Sequence, residues 1–387
     1  MTRLRIAVLG YIVRGPIGGL AWHHLQYVLG LARLGHDVRF VEDSDDYPAC
    51  YDPSRHLTDT DPTYGLSFAA DAFERFGMGD TWSYHDAHTG RWLGGGGAEG
   101  REFCESADIA LNLSGMNPMR DWTRDIPVRV LVDTDPVFMQ VRHLTNPAAR
   151  ERAKEHNRFF TFAENVERGT ALIPDDGFNW KATRQPIVLD LWQVTSPPPD
   201  AHFTTVMQWE SYPAVEHNGI RYGTKSASFQ SYVDLPRRTD VALEIALGGE
   251  AAPRDLLRAN GWSVADPLSV ARTPWDYQRY IANSRGELAV AKQGYVASRS
   301  GWFSERSAAF LASGRPVVTQ DTGFTDWLPA GCGVVAFENP EETLAALKGI
   351  ERDYANQSQR ARELAEEYFD SSEILSRLIK AATTNDD

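Results

Sequence analysis

Cysteine is scarce: three in 387 residues, Cys50, Cys104 and Cys332, odd in number and far apart. No disulfide framework follows, no CxxC metal site is present, and a reducing compartment fits best. Positive charge is short as well. Lys and Arg number 39 against 53 Asp and Glu, a net charge of −14. No surplus is left to neutralise a phosphate backbone or an acidic membrane, which argues against general nucleic-acid binding and leaves room only for a local basic pocket. No apolar run approaches the ~18 residues of a membrane span, and the one ending at Gly10 is too short for a signal segment. A cytoplasmic protein with no membrane span is the expectation. HExxH, GxSxG and Walker A motifs are missing too, which weakens protease, hydrolase and NTPase readings.

What remains is globular: 42% hydrophobic, 24% charged, with 11 Trp and 21 Pro. The length favours two domains. Residues 5–9 read as a buried strand, followed by a loop holding Gly10, Gly15, Gly18 and Gly19, a helical pattern to Gly35, and a strand at 38–41. Strand, glycine loop, helix and strand form a βαβ unit, so the sheet should be parallel. Further strands are expected at 109–113, 128–132, 159–162 and 187–191. Pro197, Pro198 and Pro199 mark a stiff connector, because successive prolines cannot pair into a central strand. Beyond it the alternation restarts, with strands at 203–207, 241–247, 262–264 and 287–291. Helices are expected near 228–235, 252–259 and 274–282, and a last one over 341–378 that breaks near Asp370.

The most informative stretch is 299–323. A polar loop opens a helix, Gly314 ends it, and Pro316 leads into the strand Val317-Val318-Thr319. In a parallel α/β domain both flanking loops lie at the ligand-binding edge of the sheet. Ser300, Gly301 and Ser304 would present N–H groups as an anion site, with Arg306 and Ser307 beside them and Asp321, Thr322 and Gly323 in the second loop. Glu305 sits where it suits the helix dipole and can equally hold sugar hydroxyls. Lys225, entering a helix near a strand edge, suits a phosphate or simply solvent. Trp302 and Trp209 adjoin these loops and are candidates to stack on a base or sugar.

In the first half the glycines at 10, 15, 18 and 19 lack the G-x-G-x-x-G spacing of a dinucleotide site. His23 and His24 are helix neighbours about 100° apart, so at most one faces a cleft; a base role and a packing role are both open. Asp133 and Asp135 end a buried strand, where two acids orient hydroxyls, act as a base, or form a turn with Pro136. Glu164 and Asn165 hold the analogous place on another strand and would suit sugar hydroxyls.

Three segments resemble the GT-B glycosyltransferases, the broad group-1 (family 4-like) enzymes in particular. They are Gly18-Gly19-x-x-x-His23 running on to Leu31-Ala-Arg-Leu-Gly-His-Asp-Val38, then Gly223-Thr-Lys225, then Ser300 to Thr319, where Phe310-Leu-Ala-Ser-Gly-Arg-Pro-Val-Val318 is the clearest match. The resemblance implies an α/β GT-B fold with two Rossmann-like doubly wound domains facing across a cleft. An acceptor-side domain over 1–195, a nucleotide-sugar domain over 200–365 and a C-terminal helix, 366–387, packing back on the first would follow. It implies transfer of a sugar from a nucleotide diphosphate sugar, retaining and metal-independent, with no cofactor, to a small-molecule or glycan acceptor. Asp133, Asp135, His23 and Glu305 would be catalytic. Gly18, Gly19, Lys225, Trp209, Ser300, Gly301, Trp302, Ser304, Arg306, Ser307, Asp321, Thr322 and Gly323 would hold the donor, and His24, Glu164 and Asn165 the acceptor. The family's glutamate pair seven residues apart is not reproduced, the later one falling near Ala309. A nucleotide-sugar epimerase of the same fold and a non-catalytic nucleotide or sugar binder stay open as alternatives.

Overall fold

The computed structural model describes residues 2–384; Met1 and 385–387, the outer ends of the expected segments, lie outside the described residues. Two parallel sheets dominate. The first holds eight strands in the spatial order Trp180–Ala182, Arg158–Thr161, Val128–Asp133, Ile109–Leu113, Arg5–Leu9, Asp37–Asp43, Trp82–Asp86 and Arg91–Leu93. Only the last pair is antiparallel. The second sheet holds six strands: Ser263–Ala265, Leu243–Gly248, Phe203–Gln208, Gly286–Ala289, Val317–Gln320 and Val334–Phe337. Helices cover both faces, so central strands such as Ile6-Ala7-Val8-Leu9 are buried on each side, which is why they read as unbroken apolar runs.

Strand order matters more than strand number. In the first sheet the chain moves outward from Arg5–Leu9 on one side, then restarts on the other with Ile109–Leu113. In the second it does the same around Phe203–Gln208, with Leu243–Gly248 on one side and Gly286–Ala289 on the other. Each reversal opens a crevice at the carboxyl ends of the two central strands, where such sheets bind ligands.

The helix Glu305–Ala312 shows how local sequence sets an element. Ser304 caps it, its Oγ accepting the Arg306 N–H at 3.2 Å. Phe310 and Leu311 are fully buried, each contributing about 1.5–3 kcal/mol by leaving water. Gly314, at φ +66, ends it in a left-handed turn that glycine adopts without strain.

The two halves pack through helices. Trp22 Nε1 donates to the Pro274 carbonyl at 2.7 Å. The helix Ser371–Thr383 lies against the helix Gly18–Arg33, where Gly30 leaves room for Leu375.

Three expected elements differ. The helix expected near 228–235 is a short one at Lys225–Phe229 followed by 3-10 turns at Gln230–Tyr232 and Leu235–Arg238. Residues 187–191 are not a strand: Leu189–Leu191 is a short 3-10 turn and Ile187 makes one isolated bridge to Asp370. Its N–H is taken by the Phe369 carbonyl at 2.7 Å, so the segment ties down the C-terminal helices. The long terminal helix is three, Pro340–Arg352, Tyr354–Tyr368 and Ser371–Thr383; besides the break at Asp370, which caps the last one, there is another at Asp353.

Candidate functional site

The two switch points face each other. Tyr11 and Ser114, at the carboxyl ends of the first sheet's central strands, and Gln208, Ser211 and Lys292, at those of the second, line one cavity of about 270 Å³ with Lys225, Glu305 and Arg306. Three cations therefore converge on one space. Arg306 donates to the buried carboxylate of Glu287 and, at 2.7 Å, to the Val206 carbonyl. Lys292 donates to Asp135 Oδ1 at 2.8 Å and to the Tyr212 hydroxyl at 2.6 Å. Lys225 has no carboxylate partner among the described residues. Burial first, then repulsion from Arg306 and Lys292, pulls its pKa down to about 7. A cation held so is short of negative charge.

The helix Glu305–Ala312 points its N-terminus at this cavity through Ser304, Glu305 and Arg306. Ser300 and Gly301, expected to lend their amides, do not line it. The Gly301 N–H is spent on the Thr322 carbonyl at 2.9 Å, and Ser300 is fully buried. Ser307 is buried beneath the first turn, its hydroxyl without a partner. The second loop also turns inward. Asp321 accepts from Gly323 N–H and the Thr325 hydroxyl, and the Thr322 hydroxyl donates to the Trp302 carbonyl. Trp302 lines the cavity, stacked on Tyr295 with centroids 4.3 Å apart, and its indole N–H has no partner. Trp209 does not: it is buried against Phe229 in the second half's core.

On the facing side His23 lines the cavity and His24 does not. His24 Nδ1 is 2.8 Å from the Leu20 carbonyl and Nε2 accepts the Tyr11 N–H at 3.2 Å, so its ring is structural. Burial lowers the pKa of His23, with Glu305 pulling the other way. Gly18 and Gly19 are accounted for by packing between the halves. A Cβ on Gly18 would fall 2.1 Å from the Thr273 carbonyl oxygen, and Gly19 faces the Tyr277 ring.

Asp133 and Asp135 part company. Asp133 is fully buried, and that burial raises its pKa to about 6. It accepts from Gln140 Nε2, the Thr161 hydroxyl and the Asp135 N–H. Gln140 in turn accepts the N–H of Val137 at 2.7 Å, a β-branched residue held at φ +67, a strained conformation that needs such bracing. Asp133 thus shapes the turn that presents Asp135 to Lys292, Tyr212 and Tyr295, all three of which donate to it. Glu164 and Asn165 lie elsewhere. Glu164 pairs with Arg184, and Asn165 Nδ2 reaches the carbonyls of Arg299 and Gly323 at 3.0 and 2.9 Å, a clasp between the halves.

The glycine loop of the first sheet is closed to an outside anion by the chain itself. Glu42, fully buried, accepts the N–H groups of Ile12, Val13 and Arg14 at 2.6, 2.7 and 2.7 Å. A dinucleotide pyrophosphate would need those amides. Among the described residues no group of three or more His, Cys, Asp or Glu could hold a metal ion, and no helix is long and apolar enough to cross a membrane. Sequence reasoning missed Lys292, Tyr212, Tyr295 and Tyr11. Lys292 follows the expected strand at 287–291 directly, which was a readable signal.

Paired doubly wound sheets with facing switch points define the GT-B fold of glycosyltransferases. The chain is similar over its whole length to solved structures of that fold. A structure described as alpha-glucosyltransferase in complex with UDP and a 13-mer DNA containing a HMU base aligns with TM-score 0.65 at 11% identity, covering 99% of this chain and 100% of that one. Anabaena HepE in complex with UDP and glucose gives 0.57 at 12%, covering 99% and 100%. AviGT4, a glycosyltransferase involved in avilamycin A biosynthesis, gives 0.54 at 13%, covering 98% and 97%. No family model and no curated protein matches the chain. The expected absence of a nucleic-acid partner gains no support from this likeness, because the first of these structures holds DNA.

Proposed function

We propose that this chain is a glycosyltransferase that moves a sugar from a nucleoside diphosphate sugar to an acceptor hydroxyl or similar group. One observation carries the reading: Lys225, Lys292 and Arg306 converge with a helix N-terminus on a cavity at both switch points, and Lys225 lacks a counter-charge. A departing diphosphate is the ligand that such a set suits, since its negative charge grows as the glycosidic bond breaks. The second half would then be the donor side, with Trp302 offering a ring and an N–H. The first half would be the acceptor side, with His23 and Asp135 nearest the reacting carbon. Lobe closure would keep water out. The free thiols of Cys50, Cys104 and Cys332 suit a cytoplasmic setting.

Thermal shift with UDP, GDP, ADP and TDP and their sugars tests the core of it. Stabilisation by at least one is expected, and Lys225→Ala should weaken that ligand by about 1.5–3 kcal/mol, the range for a charge-assisted hydrogen bond. No shift with any of them, beside a clear shift with NAD, would overturn the assignment.

Retention and metal independence belong to the same proposal. Retention is supported by the likeness to an alpha-glucosyltransferase crystallised with UDP-glucose, metal independence by three basic side chains gathered in one cavity, able to offset the charge of a diphosphate. Turnover should survive EDTA, and an α-configured donor should give an α-linked product by NMR; a β-linked product or full loss in chelator would refute the respective half.

A further inference from the structure

A second cavity of about 290 Å³ lies entirely within the first half and shares the wall residue Ser114 with the first. The partition is thin. Ser114 Oγ lies 2.6 Å from Thr134 Oγ1, and Thr134 lines the cationic cavity. Ser114 and Gly115 both sit at positive φ, +59 and +62. For serine that is an uncommon conformation, of a kind that gathers at ligand sites. The cavity also lies past the carboxyl ends of Ile109–Leu113 and Val128–Asp133, on the ligand-binding edge of the sheet.

Its chemistry is mixed in a definite way. Leu131, Met139, Ala149 and Ala153 supply apolar wall. Of the polar groups, most are already used. Arg152 pairs with Asp45 at 2.9 Å. Both nitrogens of His156 are engaged, by the Ala153 carbonyl and the Asn112 amide. Asn117 is bonded to Gly10 and Asp43. Two groups remain. The Arg142 guanidinium makes no hydrogen bond or ion pair among the described residues. His143, buried, keeps its Nδ1 on Asp176 at 2.7 Å, which leaves Nε2 without a protein partner. An unmatched cation beside an imidazole, above apolar wall, matches an anionic group on an apolar body.

Resting on the transferase reading, we propose that this cavity is the acceptor subsite and takes a small acceptor with an apolar body and a carboxylate or phosphate held by Arg142. The reacting hydroxyl would pass Ser114 to reach the donor. A polynucleotide is the less favoured occupant, because the chain's net charge of −14 repels a phosphate backbone.

Saturation-transfer NMR on the full-length protein with UDP present tests this. The probes are 4-hydroxyphenylacetate, 4-hydroxyphenylacetamide and phenyl phosphate. Either anionic probe should bind at least about tenfold more tightly than the neutral amide, the size of one charge-assisted contact. Which anion prevails separates carboxylate from phosphate acceptors. Arg142→Ala should remove that preference, and Ala149→Phe, which fills the cavity, should remove binding, while both variants keep the wild-type Kd for UDP. Equal binding of amide and anions, unchanged binding in Ala149→Phe, or displacement of the probes by a 13-mer DNA duplex would overturn the proposal. A UDP Kd that changes in Arg142→Ala would do the same. Failure of UDP to bind the wild-type protein would sink the transferase reading instead, leaving the probe series a valid test of the cavity.

Discussion

Lys225 is the side chain whose charge state reports most directly on the site. With its pKa drawn down to about 7 by burial and by Arg306 and Lys292, it is mostly neutral at pH 8 in the free protein. A diphosphate arriving beside it favours the ammonium and returns its pKa upward. Binding at pH 8 should therefore take up close to one proton, and affinity should fall as pH rises from 7 to 9. Calorimetry in two buffers of different ionisation enthalpy measures the uptake; identical heats in both would show that Lys225 does not titrate with binding. Asp135 makes a complementary case. It already neutralises Lys292, so Asp135→Asn should free that lysine and tighten UDP by on the order of 1 kcal/mol, a half-buried pair being partly screened. Transfer should fall in the same variant, because the turn would no longer offer a carboxylate. Weaker UDP binding with intact transfer would contradict both halves of this account.

At the scale of elements, local signals were legible and directions were not. The helix Glu305–Ala312 and the strand Val317–Gln320 follow from a serine cap, a terminal glycine and a proline within a few residues, all nearest-neighbour effects. Which side chain faces the cleft depends on register. Gln208, the last residue of its strand, lines the cavity while Trp209, just past the strand end, goes into the core; sequence alone favoured the larger ring. His23 and His24 divide likewise around a helix. Ser300, Gly301 and the 321–323 loop were misplaced because their polar groups bond to each other and to Asn165, a tertiary fact no spacing reveals. The glycine pair was legible as a motif and misread in purpose. Gly18 is small because the Thr273 carbonyl sits on it, so Gly18→Ala should cost about 1–3 kcal/mol through overpacking. Gly19→Ala meets only the Tyr277 ring, 3.2 Å from the new carbon, and should cost less than about 1 kcal/mol, since alanine suits a helix better. Denaturant unfolding of the two variants separates them; equal losses would mean that lobe packing does not explain the pair.

Across the whole molecule, position is set by sheet order. Two reversals of strand order, nearly two hundred residues apart in sequence around Arg5–Leu9 and Phe203–Gln208, put Tyr11 and Ser114 opposite Gln208 and Lys292. That is why Lys292 and the tyrosines went unread while the fold did not: alternation of strands and helices is visible along the chain, but the order in which strands sit side by side is not. The arrangement also divides labour, with cations gathered on one wall and, on the proposed reading, an acceptor chamber behind the other.

The carboxylate of Glu42 has a further consequence for stoichiometry. A chain made of two look-alike halves offers, on paper, two berths for a nucleotide. One is filled by an internal tenant seated on three backbone amides, so on the transferase reading a titration with nucleotide should stop at one equivalent per chain.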